Sequence, residues 1–299
     1  MTEASLETSG HLAQPPSLRP TPTVRPADPS RGEWAGALEL AAEAWRPELE
    51  GLIDGLGLEA GHSVLDAGCG PGRITRWLSS RVAPGGRVVG LDQDDDALEW
   101  AAWSLRDLAG SGATIELWNG DIRALPFEDQ AFDAVWCSSV LGYLEDPRAA
   151  IIELARVTRA GGRVAIVSGD VGRLLHLPIS PELETEIRSA EYRASRAGHW
   201  GQPIDMHLGR RLFALASSIG PSALEVSTVV WERTAPLSED ERQYLERALD
   251  WTTNPRSEPW LGARVAECQR LFAPGQAESL LDAPDLHVVQ LTTAVILTV

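Results

Sequence analysis

The chain has 299 residues, 43% of them apolar, and a formal net charge of −17. That length suits one large α/β domain with additions or two small domains, and the apolar share supports a buried core. The acidity argues against nucleic acid and against anionic membrane surfaces, because phosphate binding needs a basic face.

Cys69, Cys137 and Cys268 are odd in number and far apart, with no Cys-x-x-Cys or His/Cys cluster to hold zinc. The expectation is a reduced, cytoplasmic protein that binds no metal. No basic and apolar leader opens the chain, and no apolar run reaches the roughly 20 residues that span a bilayer.

Residues 1–32 are rich in Ser, Thr and Pro, including Pro15, Pro16, Pro20, Pro22, Pro26 and Pro29, and read as a disordered tail. From Glu33 to Gly57, Trp34, Leu38, Ala41 and Trp45 recur at helical spacing. Pro47 restarts the helix as a first-turn residue ahead of Leu49, Leu52, Ile53 and Leu56. These N-terminal helices, 33–58, open a domain that runs to residue 299. Trp34 and Trp45 read as packing aromatics.

Ser63 to Ala67 is the first strand. The stretch Val64-Leu-Asp-Ala-Gly-Cys-Gly-Pro-Gly72 then joins an acid, Asp66, to glycines at alternate positions, Gly68, Gly70 and Gly72. Arg73-Ile-Thr-Arg-Trp-Leu opens a helix. Glycines let the backbone approach a ligand, and the helix start presents free N–H groups. The third glycine comes one position early for the dinucleotide fingerprint, and no Gly-Lys-Ser/Thr phosphate loop is present. A carboxylate at Asp66 would repel a pyrophosphate and suits a ligand carrying positive charge.

The second strand, Arg87 to Leu91, ends in Asp92. An acid about 20 residues beyond such glycines is placed to accept hydrogen bonds from both ribose hydroxyls. Asp94, Asp95 and Asp96 read as N-terminal charges of a helix from about Asp95 to Ala109. Thr114 to Trp118 is the third strand, followed by Asn119-Gly120-Asp121-Ile122, and Phe132 to Trp136 is the fourth. Cys137 reads as a small buried hydrophobe. Arg159-Ala-Gly161-Gly162 turns into a fifth strand ending at Val167.

Ser168-Gly169-Asp170 follows at the carboxyl end of that strand. Leu174 to His207 is mostly helical, with Glu184 to Arg196 as its main helix, and carries His176, Tyr192, His199, Trp200 and His207. Gly209 to Gly220 is a helix with a glycine stop. Leu224 to Trp231 is strand six, a second helical insertion covers 236–284, and Leu286 to Val299 is strand seven.

Taken together, the glycine turn, Asp92, Gly120-Asp121, Phe132-Asp133, Leu141 to Pro147 and Gly161-Gly162 resemble the class I S-adenosylmethionine (SAM)-dependent methyltransferases over roughly residues 60–170. The nearest pattern is the small-molecule, ubiquinone/menaquinone-biosynthesis-like branch. The resemblance implies an α/β, Rossmann-like doubly wound seven-stranded sheet, with five parallel strands and a hairpin-like final pair. Helical lid insertions, 171–207 and 236–284, would cover its carboxyl side.

It further implies SAM as cofactor. Gly68 and Gly70 would admit its methionine part, with Asp66 near the ammonium, directly or through water. Asp92 would hold the ribose, Asp121 and Ile122 the adenine, and Ser138 and Val140 would line the methionine side; Cys69, Gly72 and Gln93 are further cofactor-binding candidates. The segment from Glu33 to Gly57 would lie over the cofactor cleft. Cys137-Ser-Ser-Val140 lacks the Pro-Pro-aromatic motif of amino-directed DNA methyltransferases. Many relatives carry a His pair where this chain has Gly142-Tyr143, which leaves Tyr143 as a substitute candidate; Asp170, at the carboxyl end of the fifth strand, reads as a general base, a substrate contact or a loop cap, and His199-Trp200 between glycines as the preferred pair for substrate contact. The expected function is methyl transfer to a small-molecule acceptor of natural-product type. Peptide or protein methylation and a non-catalytic SAM-binding module stay open, and a nicotinamide oxidoreductase is disfavoured by Asp66 and the shifted glycine. A homodimer is among the open oligomeric states.

Overall fold

The computed structural model describes residues 29–169, 178–199 and 201–299. The greater part of the expected tail, residues 1–28, lies outside the described residues, as do Asp170, His176 and Trp200. Helix α1 spans Pro29–Ala44 and α2 spans Arg46–Asp54. The helix therefore begins before the expected Glu33, with Pro29 at its first position, where a missing N–H costs nothing.

Seven strands form one sheet in the order β3-β2-β1-β4-β5-β7-β6. They are β1 (Ser63–Ala67), β2 (Arg87–Asp92), β3 (Thr114–Asn119), β4 (Phe132–Ser138), β5 (Thr158–Gly169), β6 (Ala223–Thr234) and β7 (His287–Thr298). The first five are mutually parallel. Strand β7 is antiparallel to both β5 and β6, so the final pair runs as expected and β6 is the edge.

The inner strands are buried on both faces, which is why they read as continuous apolar runs. Val64 and Val88 join one core cluster, with residues of α2 and of α3 (Arg73–Val82). Leu65 and Val89 point the other way, into a cluster with α5 (Pro147–Val157) and α7 (Leu212–Ser217).

Helix α4 runs only from Asp95 to Ser104 and passes into a 3₁₀ turn, Arg106–Leu108, where a helix to Ala109 was expected. Hydrogen bonds from other elements explain the stop. The Ser104 hydroxyl donates to the Pro71 carbonyl at 2.7 Å, and the Arg76 guanidinium donates to the Ser104 carbonyl. Orphan carbonyls at a helix end need such partners. The expected Gly209–Gly220 helix likewise divides into a 3₁₀ turn, Leu208–Arg211, and α7.

Two insertions leave the carboxyl edge of the sheet. The first contains α6 (Pro181–Arg196), capped by the Ser180 hydroxyl on the Leu183 N–H. The second contains α8 (Glu239–Thr253), α9 (Glu258–Leu261) and α10 (Arg264–Phe272). Helix α6 packs on α9, and α8 packs on α1. Trp45 stacks on Trp231 with ring centroids 6.0 Å apart, and the Trp231 indole N–H donates to the Ala44 carbonyl at 2.7 Å. Tyr244 of α8 accepts from the Trp45 indole at 3.1 Å and donates to Gln290 of β7 at 2.6 Å. These buried contacts fix the N-terminal helices against the second insertion. No helix among the described residues is long and apolar enough to cross a membrane.

Candidate functional site

At the carboxyl ends of β1, β2 and β4 lies a cavity of about 290 Å³. Its floor is formed by Gly68, Gly70, Leu91, Asp92, Gly120 and Ile122. Ser138, Ser139 and Val140, at the end of β4, form one wall. Trp34 and Leu38 of α1, Tyr143 and Leu144 after β4, and Gln202 of the first insertion surround the mouth. A larger hollow of about 500 Å³ flanks β3 and the end of α4, but it holds no acid, histidine or cysteine. Volume alone does not mark the site.

The glycine turn is built by close approach. Gly68 has φ +79°, and a Cβ there would fall 2.1 Å from Val140 Cγ2. Any side chain would drive Val140 out of the cavity wall. The Gly68 and Cys69 N–H groups donate to the Leu91 carbonyl at 2.7 and 3.0 Å, so the turn is tied to the end of β2.

Asp92 ends β2 and faces the cavity. Its Oδ2 accepts from the Gly70 N–H at 2.9 Å, and its Oδ1 accepts from the Asp94 N–H at 3.0 Å. Burial pushes this carboxyl above its usual value, and the backbone N–H groups of Asp94 and Gly70 pull it back. Such donors favour the charged form of a carboxyl in a partly desolvated place.

Asp66 takes a different position from the one the glycine motif suggested. It is 2% exposed and does not line the cavity. Its Oδ2 accepts from the Thr75 hydroxyl at 2.6 Å, which clamps the end of β1 to α3. Burial, helped by the nearby Asp92 charge, pushes its pKa up to about 7 against the Thr75 hydrogen bond. Cys69 is buried beside it, with a thiol raised well above its usual value by burial and by the charges of Asp66 and Asp92.

Asp121 lies beside the cavity, not in its lining. It forms a two-pronged ion pair with Arg123, which holds its carboxyl below the usual range. Its neighbours Gly120 and Ile122 do line the cavity. The loop after them is held by Arg156 of α5, which donates to the carbonyls of Leu125 and Phe127 at 3.0 and 2.8 Å.

Of the other expected residues, Gln93, Ser138, Val140 and Tyr143 line the cavity, whereas Gly72 sits at the start of α3 outside it. Tyr143 is 48% exposed, yet burial by its surroundings raises its phenol above the usual value. His199 lies away from this lining, with its ring 4.6 Å from Trp260 and 6.4 Å from Trp251, centroid to centroid. Asp170 lies outside the described residues. Ser139, Leu144 and Gln202 were not anticipated, whereas Leu38 lies in the N-terminal segment expected over the cleft. Ser139 carried a faint signal as a small polar residue just past a strand end, and its φ is +59°.

The donor set fits a nucleoside that carries no phosphate. No Lys, Arg or His lines the cavity among the described residues, so a phosphate would meet carboxylates without a cation. Asp92 offers acceptor oxygens to a diol, and Leu91, Ile122 and Val140 offer apolar surface to a flat ring.

Residues 65–166 match the family described as a methyltransferase domain. The chain is 34% identical over 137 residues to the methyltransferase GfsG of Streptomyces halstedii, covering 45% of this chain and 48% of that protein. It is 38% identical over 115 residues to the ubiquinone/menaquinone biosynthesis C-methyltransferase UbiE of Hahella chejuensis, covering 38% of this chain and 46% of that one. The matched stretch thus spans less than half the length of these curated relatives. Among solved structures, the YcgJ protein of Bacillus subtilis aligns with a TM-score of 0.52 at 18% identity, over 85% of this chain and 98% of that one. Phosphoethanolamine N-methyltransferase 2 of Haemonchus contortus, solved with S-adenosyl-L-methionine, aligns with a TM-score of 0.50 at 18% identity, over 85% of this chain and 52% of that one. The likeness to these two structures is one of fold.

Proposed function

We propose that this chain, whose residues 65–166 match a methyltransferase domain, is a class I SAM-dependent methyltransferase and transfers a methyl group to a small-molecule acceptor held at the mouth of the cavity. The observation that carries this reading is Asp92. Its carboxylate is kept in place by the Gly70 and Asp94 N–H groups and presented to the cavity floor.

In this reading Asp92 accepts from the ribose hydroxyls, with Gln93 beside it. Ile122 and Leu91 pack on the adenine, and Gly68, Gly70, Ser138 and Val140 enclose the methionine part. Asp66 and Cys69 act from behind the glycine turn by holding its shape. SAM supplies an electrophilic methyl carbon on a sulfonium, already a good leaving group.

The protein's work is then to position the acceptor and to exclude water. An acceptor lone pair bonds to the methyl carbon while the carbon–sulfur pair stays on sulfur. Where the acceptor atom carries a hydrogen, that proton leaves to solvent or to a base. The Tyr143 phenol, with its raised pKa, is protonated at neutral pH and serves as a hydrogen-bonding group, not as that base. The relative named for ubiquinone and menaquinone biosynthesis supports a small acceptor. The two insertions, 171–207 and 236–284, belong to the acceptor side, and specialised metabolism suits an enclosed, aromatic mouth.

The test is calorimetric titration of the full chain with SAM and with S-adenosylhomocysteine, on the wild type and on Asp92→Ala. The expected result is micromolar binding that collapses in the variant. Absence of binding of either compound at millimolar concentration would sink the reading.

A further inference from the structure

Three of the eight large apolar side chains exposed among the described residues, Trp34, Leu38 and Tyr143, meet at the mouth of this one cavity. Exposed apolar groups gathered in one place mark a binding surface more than a solvated one does. The polar group among them is Gln202, which comes from the first insertion.

Gln202 is brought there by a specific docking. The Asp205 N–H donates to the Gly142 carbonyl at 2.8 Å, and the Ile204 N–H donates to the Ser195 carbonyl at the end of α6 at 3.2 Å. Asp205 is held in turn by an ion pair with Arg211 and by accepting from the His207 N–H at 3.0 Å. Gly142 makes this contact sterically feasible. A Cβ at 142 would lie 2.9 Å from the Asp205 carbonyl oxygen, a backbone atom that cannot swing aside. Glycine is required here by close approach of two segments, and the turn that carries Tyr143 is thereby fixed to the loop that carries Gln202.

The charge of the mouth narrows what it can accept. Asp92 and Asp94 are its ionisable groups besides the neutral Tyr143 phenol, and no cationic side chain lines it among the described residues. An anionic acceptor would be desolvated beside two carboxylates with nothing to offset the repulsion.

We infer that Gly142 and Gln202 set acceptor specificity, and that the acceptor is an uncharged, largely apolar molecule presenting a hydroxyl to the Gln202 amide and the Tyr143 phenol. This rests on the reading of the floor as a SAM site. Tyr143 contributes apolar surface and a hydrogen bond. Gln202 supplies a donor and an acceptor without charge.

The test separates the two levels. The full chain is saturated with S-adenosylhomocysteine and titrated with 1-naphthol and with 1-naphthoate, for the wild type, Gln202→Ala, Gln202→Arg and Gly142→Ala. Wild type should bind 1-naphthol at least about tenfold more tightly than 1-naphthoate. Gln202→Ala should weaken 1-naphthol roughly threefold to tenfold, as expected for loss of a hydrogen bond. Gln202→Arg should narrow or invert the preference. Gly142→Ala should weaken 1-naphthol as well, while all variants bind S-adenosylhomocysteine like the wild type. Equal binding of naphthol and naphthoate, no binding of naphthol, or naphthol binding insensitive to both Gln202 variants overturns the inference. Failure of the wild type to bind S-adenosylhomocysteine overturns the SAM reading itself, so the two failures are distinguishable. Gln202 is exposed, so its variants keep the test sound even if Gly142→Ala folds poorly.

Discussion

Gly70 donates its backbone N–H to Oδ2 of Asp92 at 2.9 Å, so the glycine turn after β1 and the acid that ends β2 form one unit. Asp92→Asn separates the two roles of that acid. The amide oxygen can accept from only one of the Gly70 and Asp94 N–H groups, the other then faces the amide nitrogen, and the charge offered to the diol is gone. SAM affinity should fall at least about tenfold, the scale of a hydrogen bond to a charged group. Calorimetry and a melting curve read the two effects separately, and the melting temperature should fall with the loss of one backbone hydrogen bond, at a cost of about 1–3 kcal/mol.

Gly68→Ala should destabilise the fold and distort the cavity together. The residue sits at φ +79° and its Cβ would reach Val140 Cγ2 at 2.1 Å. Strain of this kind costs about 1–3 kcal/mol, and each kcal/mol lowers the melting temperature by about 2–4 °C in a domain of 150–250 residues. Adding Val140→Ala should recover part of the loss, because it removes the clash but not the strained φ. A double-mutant cycle measures the recovered part.

The floor of this cavity was legible in the sequence and its mouth largely not. Strands β1, β2 and β4 are apolar runs buried on both faces, and the glycines and Asp92 follow in fixed order. Asp66 was legible as a residue but not as a partner of Thr75, since that bond depends on how α3 lies against β1. Asp121 lies outside the lining and is paired with Arg123, a local pairing that no periodicity displays. Gln202 gave no signal, because its place depends on Gly142 and Asp205 meeting across the chain. Pro29 misled, since a proline ends a helix from within but is accommodated at its start.

Asp66 gives stability a pH dependence of defined sign. Burial raises its carboxyl to about 7 in the folded chain, from 3.8 in the unfolded one. Below pH 3.8 both folded and unfolded chains hold the proton and there is no penalty. Between the two values the unfolded chain ionises first, so stability falls as pH rises, by up to about 4 kcal/mol in total. Asp66→Asn lacks this titration. Denaturant curves from pH 4 to 8 should therefore show the variant gaining on the wild type as pH rises; a constant difference would refute the assignment.

Tyr244→Phe removes the hydroxyl that accepts from Trp45 and donates to Gln290. The Trp45 indole N–H then loses its buried partner. The expected cost is about 1–3 kcal/mol, read by urea denaturation. Because α1 packs on α8 and also lines the cavity mouth, SAM binding should weaken as well.

Strand β7 is inserted antiparallel between β5 and β6, so both long excursions of the chain depart from the same rim of the sheet. The strands that form the cavity floor, β1 and β2, take no part in either excursion. A change in length or composition of 171–207 or 236–284 leaves the β1–β2 register untouched. The first of these, which brings Gln202 to the mouth, can thus be exchanged as a cassette, and a chimera carrying another segment there should keep its nucleoside affinity while trading one acceptor for another.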